Sequence, residues 1–342
     1  MTNGPGAPTI LTVILNWRTA EMTLQSVAAA HREMAGLAGE IVVVDNDSGD
    51  GSFERITAGV AEAGHDRVRV LQSGRNGGYG AGNNVGIRAG LSDGRRPDYV
   101  YVLNSDAFPD TGAIAALVAY LEAHPEVGFA GSYIHGPDGD PHATAFRFPS
   151  IPGELEGAAR LGPVTRLLAR HVVPLPLPEA TRPVDWLAGA SVMMRRTVLD
   201  EIGLFDEGFF LYFEETDLCR RAALAGWPTD YVLASQVTHI GSVSTGMGNW
   251  RRTPGYWFDS RLRYFTRNHG ALYAAAATAA CVAGHLVWRL RIAITRQPAV
   301  DPPHFLGDLV RHALRHALTG RRAQDTGPAT PRAAAPVSAE RS

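Results

Sequence analysis

Short apolar runs alternate with amphipathic stretches along the first 135 residues of the chain. Runs of about four to eight apolar, often β-branched, residues suit strands that are covered on both faces of a sheet. Five such runs predict strands, at Thr9–Leu15, Glu40–Val44, Val68–Leu71, Asp98–Leu103 and Val127–Ser132. The stretches between them predict helices at Ala20–Glu33, Ser52–Ala63, Asn83–Ala89 and Ile114–Ala123. Strands that alternate with helices in this way indicate an α/β fold with a mostly parallel central sheet.

The pattern changes in residues 136–183. This stretch contains nine prolines, a basic helical piece near Ala158–Arg170 and no clear strand. We expect an irregular insertion, which is either mobile and substrate-facing or a surface feature without a role. Regular structure is predicted again from Val184 to Arg196. Beyond it the sequence predicts helices at Thr197–Ile202 and Glu215–Ala225, a strand at Tyr231–Val237 and a helical region at Trp257–Arg322.

These patterns divide the chain into four parts. Residues 1–8 are rich in Gly and Pro and predict a flexible N-terminus, and residues 9–250 form one α/β domain around the insertion. A basic helical extension follows at 251–322. Residues 323–342 are rich in Ala, Pro and Ser and predict a disordered tail.

Charge is distributed unevenly along the chain. Residues 1–250 contain 18 Arg and 29 acidic residues, a net charge of −11, whereas residues 251–342 contain 14 Arg and five acidic residues, a net charge of +9. The basic region predicts an anionic partner, and charge alone allows either a membrane surface or nucleic acid. The sequence has no Lys, which excludes a GxxxxGK[ST] phosphate loop and Schiff-base catalysis.

Two further features indicate the cellular compartment. Cys219 and Cys281 are too few for a disulfide framework or a metal cluster, and the N-terminal residues do not resemble a secretory signal, so we expect a cytosolic chain. The stretch Ala271–Trp288 lacks Asp, Glu and Arg, but it is rich in Ala and contains His285. This composition favours a helix that lies on a membrane over one that crosses it.

Polar clusters follow two of the predicted strands. Asp45-Asn46-Asp47-Ser48 comes after one strand and Asn104-Ser105-Asp106 after another, at the edge where open α/β sheets bind ligands. Asp45 and Asp47 could accept hydrogen bonds from a ribose or a base, and Asp106 could bind a divalent cation that holds a diphosphate. The alternatives are a helix cap for the first cluster and an Asx turn for the second.

A glycine-rich segment precedes one of the predicted helices. Residues 76–84 read NGGYGAGNN, and Gly77, Gly78, Gly80 and Gly82 would let the backbone approach a ligand closely. The following helix N-terminus would favour an anion. The spacing does not fit GxGxxG, so a dinucleotide-binding fingerprint is not supported.

An acidic cluster follows an aromatic run at residues 209–213. Glu214, Glu215 and Asp217 lie behind apolar neighbours, which raise the pKa of carboxyl groups and suit a general base. The alternative is a helix N-terminus whose acidic residues complement the helix dipole. His239 follows a strand and is either a metal ligand or a structural residue.

Taken in chain order, six motifs resemble the inverting family 2 glycosyltransferases, and within them a bacterial rhamnosyltransferase-like branch. They are Leu15-Asn16-Trp17, residues 44–48 (VDNDS), residues 77–84 (GGYGAGNN), residues 103–106 (LNSD), residues 185–190 (DWLAGA) and residues 213–219 (FEETDLC). The resemblance covers about residues 9–270. It implies a GT-A fold, a nucleotide-sugar donor and a divalent metal, Mg²⁺ or Mn²⁺. Residues 9–135 would be the nucleotide-sugar-binding half and residues 184–250 the acceptor-binding and catalytic half.

The resemblance also assigns roles to individual residues. The nucleotide-binding set would be Asn16, Asp45, Asp47, Gly78, Gly80, Asn83 and Asn104. Asp106 would be a metal ligand at the position of the family's DxD motif, whose first Asp is Asn104 here, and His239 would be a second metal ligand. Glu215 would be the general base of the family's Glu-Asp pair, which is Glu214-Glu215 here, and Asp217 is the second candidate for this role.

The leading hypothesis is a transferase that moves a sugar, L-rhamnose from dTDP-rhamnose by preference, to a hydroxyl of a lipid-linked or polysaccharide cell-envelope acceptor. The enzyme would be peripheral on the inner face of the plasma membrane, held by its basic helices. Alternatives are another nucleotide sugar, a soluble acceptor, or a non-catalytic protein that binds nucleotide sugars. A nucleic-acid partner is not expected, because the basic region lacks interleaved stacking aromatic residues.

Overall fold

The structure is a computed structural model, and it describes residues 6–241, 250–296 and 301–319. The predicted tail at 323–342 lies outside these ranges. So do residues 1–5 of the predicted flexible N-terminus and residues 320–322 of the predicted helical region.

The described residues form eleven strands. They are β1 (Thr9–Asn16), β2 (Ala38–Asp45), β3 (Val68–Gln72), β4 (Tyr99–Asn104), β5 (Ala107–Pro109), β6 (Phe129–His135), β7 (Ala145–Phe146), β8 (Arg182–Val184), β9 (Trp186–Leu187), β10 (Ser191–Arg195) and β11 (Thr229–His239). The five strands predicted in the first 135 residues are confirmed as β1, β2, β3, β4 and β6, with ends that shift by up to three residues.

The described residues also form eleven α-helices. They are α1 (Ala20–Glu33), α2 (Ser52–Glu62), α3 (Tyr79–Ala89), α4 (Ala113–Ala123), α5 (Ile151–Ala159), α6 (Gly162–Leu167), α7 (Arg196–Ile202), α8 (Glu214–Leu224), α9 (Gly255–His269), α10 (Ala271–Thr295) and α11 (Phe305–Thr319). Helix α3 begins four residues earlier than predicted, so residues 79–82 are helix rather than loop.

Nine of these strands form the central sheet, in the order β3-β2-β1-β4-β10-β6-β11-β5, with β8 paired to β11. Strands β3, β2, β1 and β4 are parallel, as are β6 and β11. Strand β10 runs antiparallel between β4 and β6. Because β10 is reversed, its first residue, Ser191, pairs with Leu103 at the carboxyl end of β4. The segment before β10 therefore lies at the edge where β1, β2 and β4 end.

Both faces of the sheet are covered, which explains why the strands are continuous apolar runs. Along β1, Ile10 and Ile14 belong to one core cluster, with Leu117 of α4 among its members. Leu11 and Val13 belong to the other cluster, with Ile87 of α3 among its members. The sheet is thus a rigid, two-sided platform for the side chains at its edge.

The segment 136–183 contains more regular structure than predicted. Strand β7 within it pairs with β9, and helix α5 precedes the basic helical piece predicted at Ala158–Arg170. That piece is confirmed, because α6 lies within it. Helix α5 packs along α10, and Ala158 shares an apolar cluster with Cys281. The segment therefore anchors the C-terminal helices to the α/β domain.

The C-terminal helices pack on the rest of the protein through one face of α10. Ala274, Ala277, Cys281 and Trp288 are buried on that face. Within the described part of the chain, α10 is the one helix long and apolar enough to cross a membrane, with a mean hydropathy of 1.5 over its most apolar window. Of that window 39% is buried against protein.

Two arginines of the basic extension, which was predicted to contact a membrane, are buried instead. Arg261 and Arg263 of α9 are 2% and 7% exposed. Arg261 donates to Glu154 at 2.6 Å, and Arg263 pairs with Asp206 at 2.8 Å. Expecting these two to face a membrane was wrong, because their charge is already neutralised inside the protein.

Candidate active site

The ends of β1 and β2 are joined by a buried polar network. Asn16 donates its amide hydrogens to the Asp45 carboxylate at 2.6 Å and to the Ser48 hydroxyl at 3.2 Å. Its amide oxygen accepts from Thr19 and Thr23 at the start of α1. Asn16 is fully buried, so the expectation that it lines a nucleotide pocket directly is wrong. It holds Asp45 in place and caps α1.

Asp45 itself is 1% exposed, and Ser48 donates to it from both its hydroxyl and its backbone N–H. Asp47, two residues on, is exposed and adopts a positive φ of 57°. Asp47 therefore presents an exposed carboxylate on this loop. The network below it is the kind that fixes the shape of a ligand-facing loop.

Helix α3 brings the glycine-rich segment against protein rather than into open space. At Gly78, with φ of +89°, an added Cβ would lie 1.9 Å from the Phe210 carbonyl oxygen. Tyr79 donates its N–H to the same carbonyl at 2.9 Å. These contacts tie α3 to the loop before α8, so close packing of the backbone is the observed use of Gly78.

The polar side chains beside this helix include two amide oxygens without partners. Asn46 donates its amide to Asn76 and to the Gly78 carbonyl, and Asn83 donates to the Tyr79 carbonyl. The Oδ1 atoms of Asn46 and Asn83 are buried and have no hydrogen-bond partner among the described residues. Sequence analysis named Asn83 as a binding residue and missed Asn46, although it lies between two candidate aspartates.

Asn104, Asp106 and His239 come together as predicted, from positions more than 130 residues apart. The register of β5 against β11 places His239 opposite Ala107. The His239 Nε2 atom lies 3.1 Å from Asp106 Oδ1 and 3.4 Å from the Asn104 amide. Asp106 is 6% exposed. A carboxylate and an imidazole at this separation are a donor set that divalent metals accept.

The segment before β10 connects this group to the acidic residues of α8. The Ala190 carbonyl accepts from the Asn104 N–H at 3.0 Å, and the Gly189 carbonyl accepts from the Tyr79 hydroxyl at 2.6 Å. The Gly189 N–H interacts with the Glu215 carboxylate. A Cβ at Gly189 would lie 2.7 Å from the Tyr79 hydroxyl, so any larger residue here would displace the Tyr79 side chain. Tyr79 was not predicted as a site residue, although its position inside the glycine-rich motif could have indicated it.

Glu214 and Glu215 form a buried carboxyl pair at the start of α8. One oxygen of each, Oε2, has no hydrogen-bond partner within the described ranges. Burial raises the pKa of both groups, and the charge of Glu215 raises the pKa of Glu214 further, to well above its ordinary value. Glu214 is 2% exposed, whereas Glu215 is half-buried. Because the pKa of Glu214 is raised further than that of Glu215, Glu215 is the first of the two to ionise.

The turn that presents this pair is strained. Tyr212 and Phe213 both have a φ of +70°, a left-handed conformation that is costly for residues with bulky side chains. Tyr79, Phe205 and Leu218 line a small apolar cavity with Glu215. Consecutive strained residues are typical of functional sites when they lie next to a buried carboxyl group with an oxygen that no described residue hydrogen-bonds.

Asp217, the second candidate for the base, has a structural role. It is fully buried, and it accepts from Arg221 at 2.8 Å and from Asn268 at 3.0 Å. Arg267 lies 3.4 Å from the same carboxylate. Arg221 in turn donates to the carbonyls of Ile202, Gly203 and Leu204. A carboxylate committed to these cations cannot reach a substrate, so the geometry contradicts a catalytic role for Asp217.

Comparison with known proteins decides the family. The glycosyltransferase-like family 2 pattern matches residues 7–265, about three quarters of the chain. The chain belongs to glycosyltransferase-like family 2. The resemblance inferred from the six motifs is therefore confirmed, and the protein is a glycosyltransferase.

Relatives and a solved structure agree with this assignment. An N-acetylglucosaminyl-diphospho-decaprenol L-rhamnosyltransferase of Mycobacterium tuberculosis is 34% identical over 223 residues, covering 60% of this chain and 68% of the relative. Rhamnosyltransferase WbbL of Escherichia coli is 26% identical over 165 residues, covering 47% and 60%. The mannosyltransferase PcManGT of Pyrobaculum calidifontis, solved with GDP-Man and Mn²⁺, superposes with a TM-score of 0.59 at 13% identity, covering 93% and 89%. The predicted GT-A fold is confirmed.

Proposed function

We propose that this glycosyltransferase transfers L-rhamnose from dTDP-rhamnose to a hydroxyl of a polyprenyl-diphosphate-linked sugar, with inversion at the anomeric carbon. The names of the mycobacterial and Escherichia coli relatives support the sugar, and that of the mycobacterial relative supports the lipid-linked acceptor. The observation that carries the proposal is the connection of Asp106 and His239 to Glu215 through Gly189 and Ala190. This connection supports a diphosphate-binding end and a base at one edge of the sheet.

The donor end of the site rests on Asp106, His239 and Asn104. Asp106 and His239 would hold a divalent cation, Mg²⁺ or Mn²⁺, whose charge would stabilise the departing nucleoside diphosphate. Two protein ligands leave positions for diphosphate oxygens and water. Asp47 on the exposed loop above the Asn16–Asp45 network, together with the unpartnered amide oxygens of Asn46 and Asn83, would face the nucleoside.

Glu215 would act as the general base. Its raised pKa makes it a better proton acceptor than an ordinary glutamate, and the Gly189 N–H holds its carboxylate in orientation. As the acceptor hydroxyl oxygen bonds to the anomeric carbon, Glu215 takes its proton. The bond from that carbon to the diphosphate oxygen breaks on the opposite face. The reaction is a single displacement, so no covalent enzyme intermediate forms.

The lipid end of the acceptor would lie on a membrane that α10 and α11 contact. Leu286, Leu290 and Ile294 recur at four-residue intervals along α10 and are 56–73% exposed. On α11, Leu314 and Leu318 are 58% and 86% exposed beside the exposed Arg311 and Arg315. Apolar stripes flanked by arginines suit an anionic membrane surface, and this supports a peripheral location on the inner face of the plasma membrane.

Co-sedimentation with phosphatidylglycerol vesicles tests the membrane contact. We expect the wild type to pellet, and L290Q/L314Q to stay in the supernatant. The control is L224Q on α8, where Leu224 is 74% exposed but lies on a helix outside the proposed surface. Equal pelleting of both variants would contradict the contact.

The reaction is tested by measuring nucleoside diphosphate release from dTDP-, UDP- and GDP-sugars. The acceptor is polyprenyl-diphosphate-N-acetylglucosamine, with and without EDTA. We expect release from dTDP-rhamnose that requires the acceptor and is lost with EDTA and in E215Q. Release from a different donor would overturn the choice of sugar. Nucleotide-sugar binding without turnover, unchanged in E215Q, would indicate the non-catalytic alternative.

A further inference from the structure

We propose that Asp259, His312 and His316 form a second metal site, of the kind that binds Zn²⁺, which fastens α11 to α9. This site is independent of the transfer reaction. It lies in the C-terminal helices, outside the group formed by Asn104, Asp106 and His239. Among the described residues these three form a group of His, Cys or acidic side chains whose ligand atoms lie within 4.8 Å of one another.

The two histidines are presented by helical spacing. His312 and His316 are four residues apart on α11, so they project from one face and their ring centroids lie 4.5 Å apart. The Nε2 atoms of both rings converge on a single oxygen of the facing helix. His312 Nε2 lies 2.7 Å and His316 Nε2 lies 3.5 Å from Asp259 Oδ1. The same ring nitrogen is thus turned inward in both residues.

These distances match the needs of a zinc ion. Zinc binds imidazole nitrogen and carboxylate oxygen at about 2.0–2.2 Å, which places tetrahedral ligand atoms about 3.3 Å apart. The observed contacts bracket that value, so a small shift of the rings admits the ion. Three protein ligands with one open position, in a borderline nitrogen and oxygen set, favour Zn²⁺ over the harder Mg²⁺.

The surroundings hold the ligands in place without competing for them. The His312 ring lies 5.7 Å from the Phe258 ring, and Phe258 packs with Leu309 in an apolar cluster between the helices. The nearby Asp308 already pairs with Arg252 and Arg311. The His312 and His316 side chains are 14% and 28% exposed, whereas Asp259 is 61% exposed, which leaves a path for the ion.

A metal ion at this site would also stabilise the position of α8, the helix that carries Glu215, through contacts of α9. Helix α9 carries Asp259, and it also carries Arg263 and Arg267, which pair with Asp206 and with Asp217 of α8. A clamp between α9 and α11 would therefore stabilise the C-terminal helices as a unit. A chelator would strip both metal sites, so variants are needed to assign its effect.

The test is zinc titration of the full chain carrying D106N, which disables the proposed donor-side metal site. The readouts are isothermal calorimetry with ZnCl₂, the visible spectrum with CoCl₂, and the melting temperature. We expect one bound ion, a tetrahedral cobalt spectrum and a saturable rise of a few degrees in the melting temperature.

Two variants and a control complete the test. Adding H316A or the isosteric D259N should weaken zinc affinity by more than about tenfold and remove the cobalt spectrum. Adding H171A, at an exposed histidine elsewhere, should change neither. D259N preserves side-chain volume, so it separates loss of a ligand from loss of packing. No zinc binding in the D106N chain, or binding that D259N and H316A leave unchanged, would overturn the proposal.

Discussion

The two ends of the candidate active site use carboxyl groups in opposite ways. At the donor end, Asp106 lies at a strand end, and His239 Nε2 lies 3.1 Å from Asp106 and 3.4 Å from Asn104. At the base end, Glu214 and Glu215 begin a helix beside an apolar cavity, and each keeps an oxygen that has no hydrogen-bond partner among the described residues. The first arrangement suits a fixed negative charge that attracts a cation. The second suits a carboxyl whose proton is exchanged during the reaction.

A third carboxylate shows that the environment, not residue type, makes this difference. Asp217 is two residues from Glu215 on the same helix, yet it is held by Arg221, Asn268 and Arg267. Its oxygens are committed to hydrogen bonds, whereas one oxygen of Glu215 is not. Experiments on these carboxyls should therefore separate catalysis, folding and metal binding.

The largest effect is expected for E215Q. Gln keeps the volume and the contact with Gly189 but cannot accept the acceptor proton, so kcat should fall about 10²–10⁴-fold while donor binding is retained. Steady-state kinetics and dTDP-sugar calorimetry measure the two quantities. The control is E62Q, on the exposed surface of α2. A kcat within threefold of the wild type would rule out Glu215 as the base.

D217N is expected to act on folding instead. Removing this charge leaves Arg221 buried beside a neutral amide, which should lower the free energy of unfolding by about 3–5 kcal/mol. Chemical denaturation measures the change. The matched control is D200N, which breaks the more exposed i,i+4 pair with Arg196 and should cost about 1 kcal/mol or less. Unchanged stability with lost turnover would return Asp217 to the list of candidate bases.

The donor end could be predicted from the sequence better than the base end. The reason is that its position depends on residues close together along the chain. Asn104 to Asp106 follows a continuous apolar strand, so its position at the sheet edge could be inferred from chain order. The partners of Asp217, at positions 221, 267 and 268, include two that are fifty residues away and become neighbours only when α9 docks. The same holds for Asn16, whose burial depends on Asp45 of the adjacent strand.

In the fold, too, the elements with a clear local sequence pattern were predicted and those without one were missed. Strands β1 and β2 were predicted because each contains a continuous run of apolar residues, as a strand covered on both faces does. Strands β7, β8 and β9 have two or three residues each and lie in a proline-rich stretch, so no periodicity could develop. The start of α3 was missed because Gly80 and Gly82 are poor helix formers whose cost is offset by close packing against Phe205 and Leu15.

D106N tests the donor end and should give a smaller effect than the two variants above. Loss of one carboxylate ligand should raise the Mn²⁺ concentration needed for half-maximal turnover about 10- to 100-fold, while the fold is preserved. The chain offers a close control in D110N, because Asp110 also contacts a histidine, His135, at 2.9 Å, outside the candidate site. If D106N and D110N need the same Mn²⁺ concentration for turnover, Asp106 is not a metal ligand.

The smallest effect concerns the pH dependence of stability and is expected for E214Q. Burial and the charge of Glu215 raise the pKa of Glu214 in the folded state well above its ordinary value of 4.5. The folded protein therefore binds this proton more tightly than the unfolded chain. The stability that this gives is complete below pH 4.5 and is lost as the pH rises through the folded-state pKa.

Gln cannot ionise, so E214Q should escape that loss. Its melting temperature should fall less than that of the wild type as the pH rises through this window, and should exceed it above the window. Thermal melts across the pH range measure the difference, and E62Q again serves as the control. Parallel curves for E214Q and the wild type would mean that Glu214 is not held protonated, and the contrast between the two ends of the site would then rest on Glu215 alone.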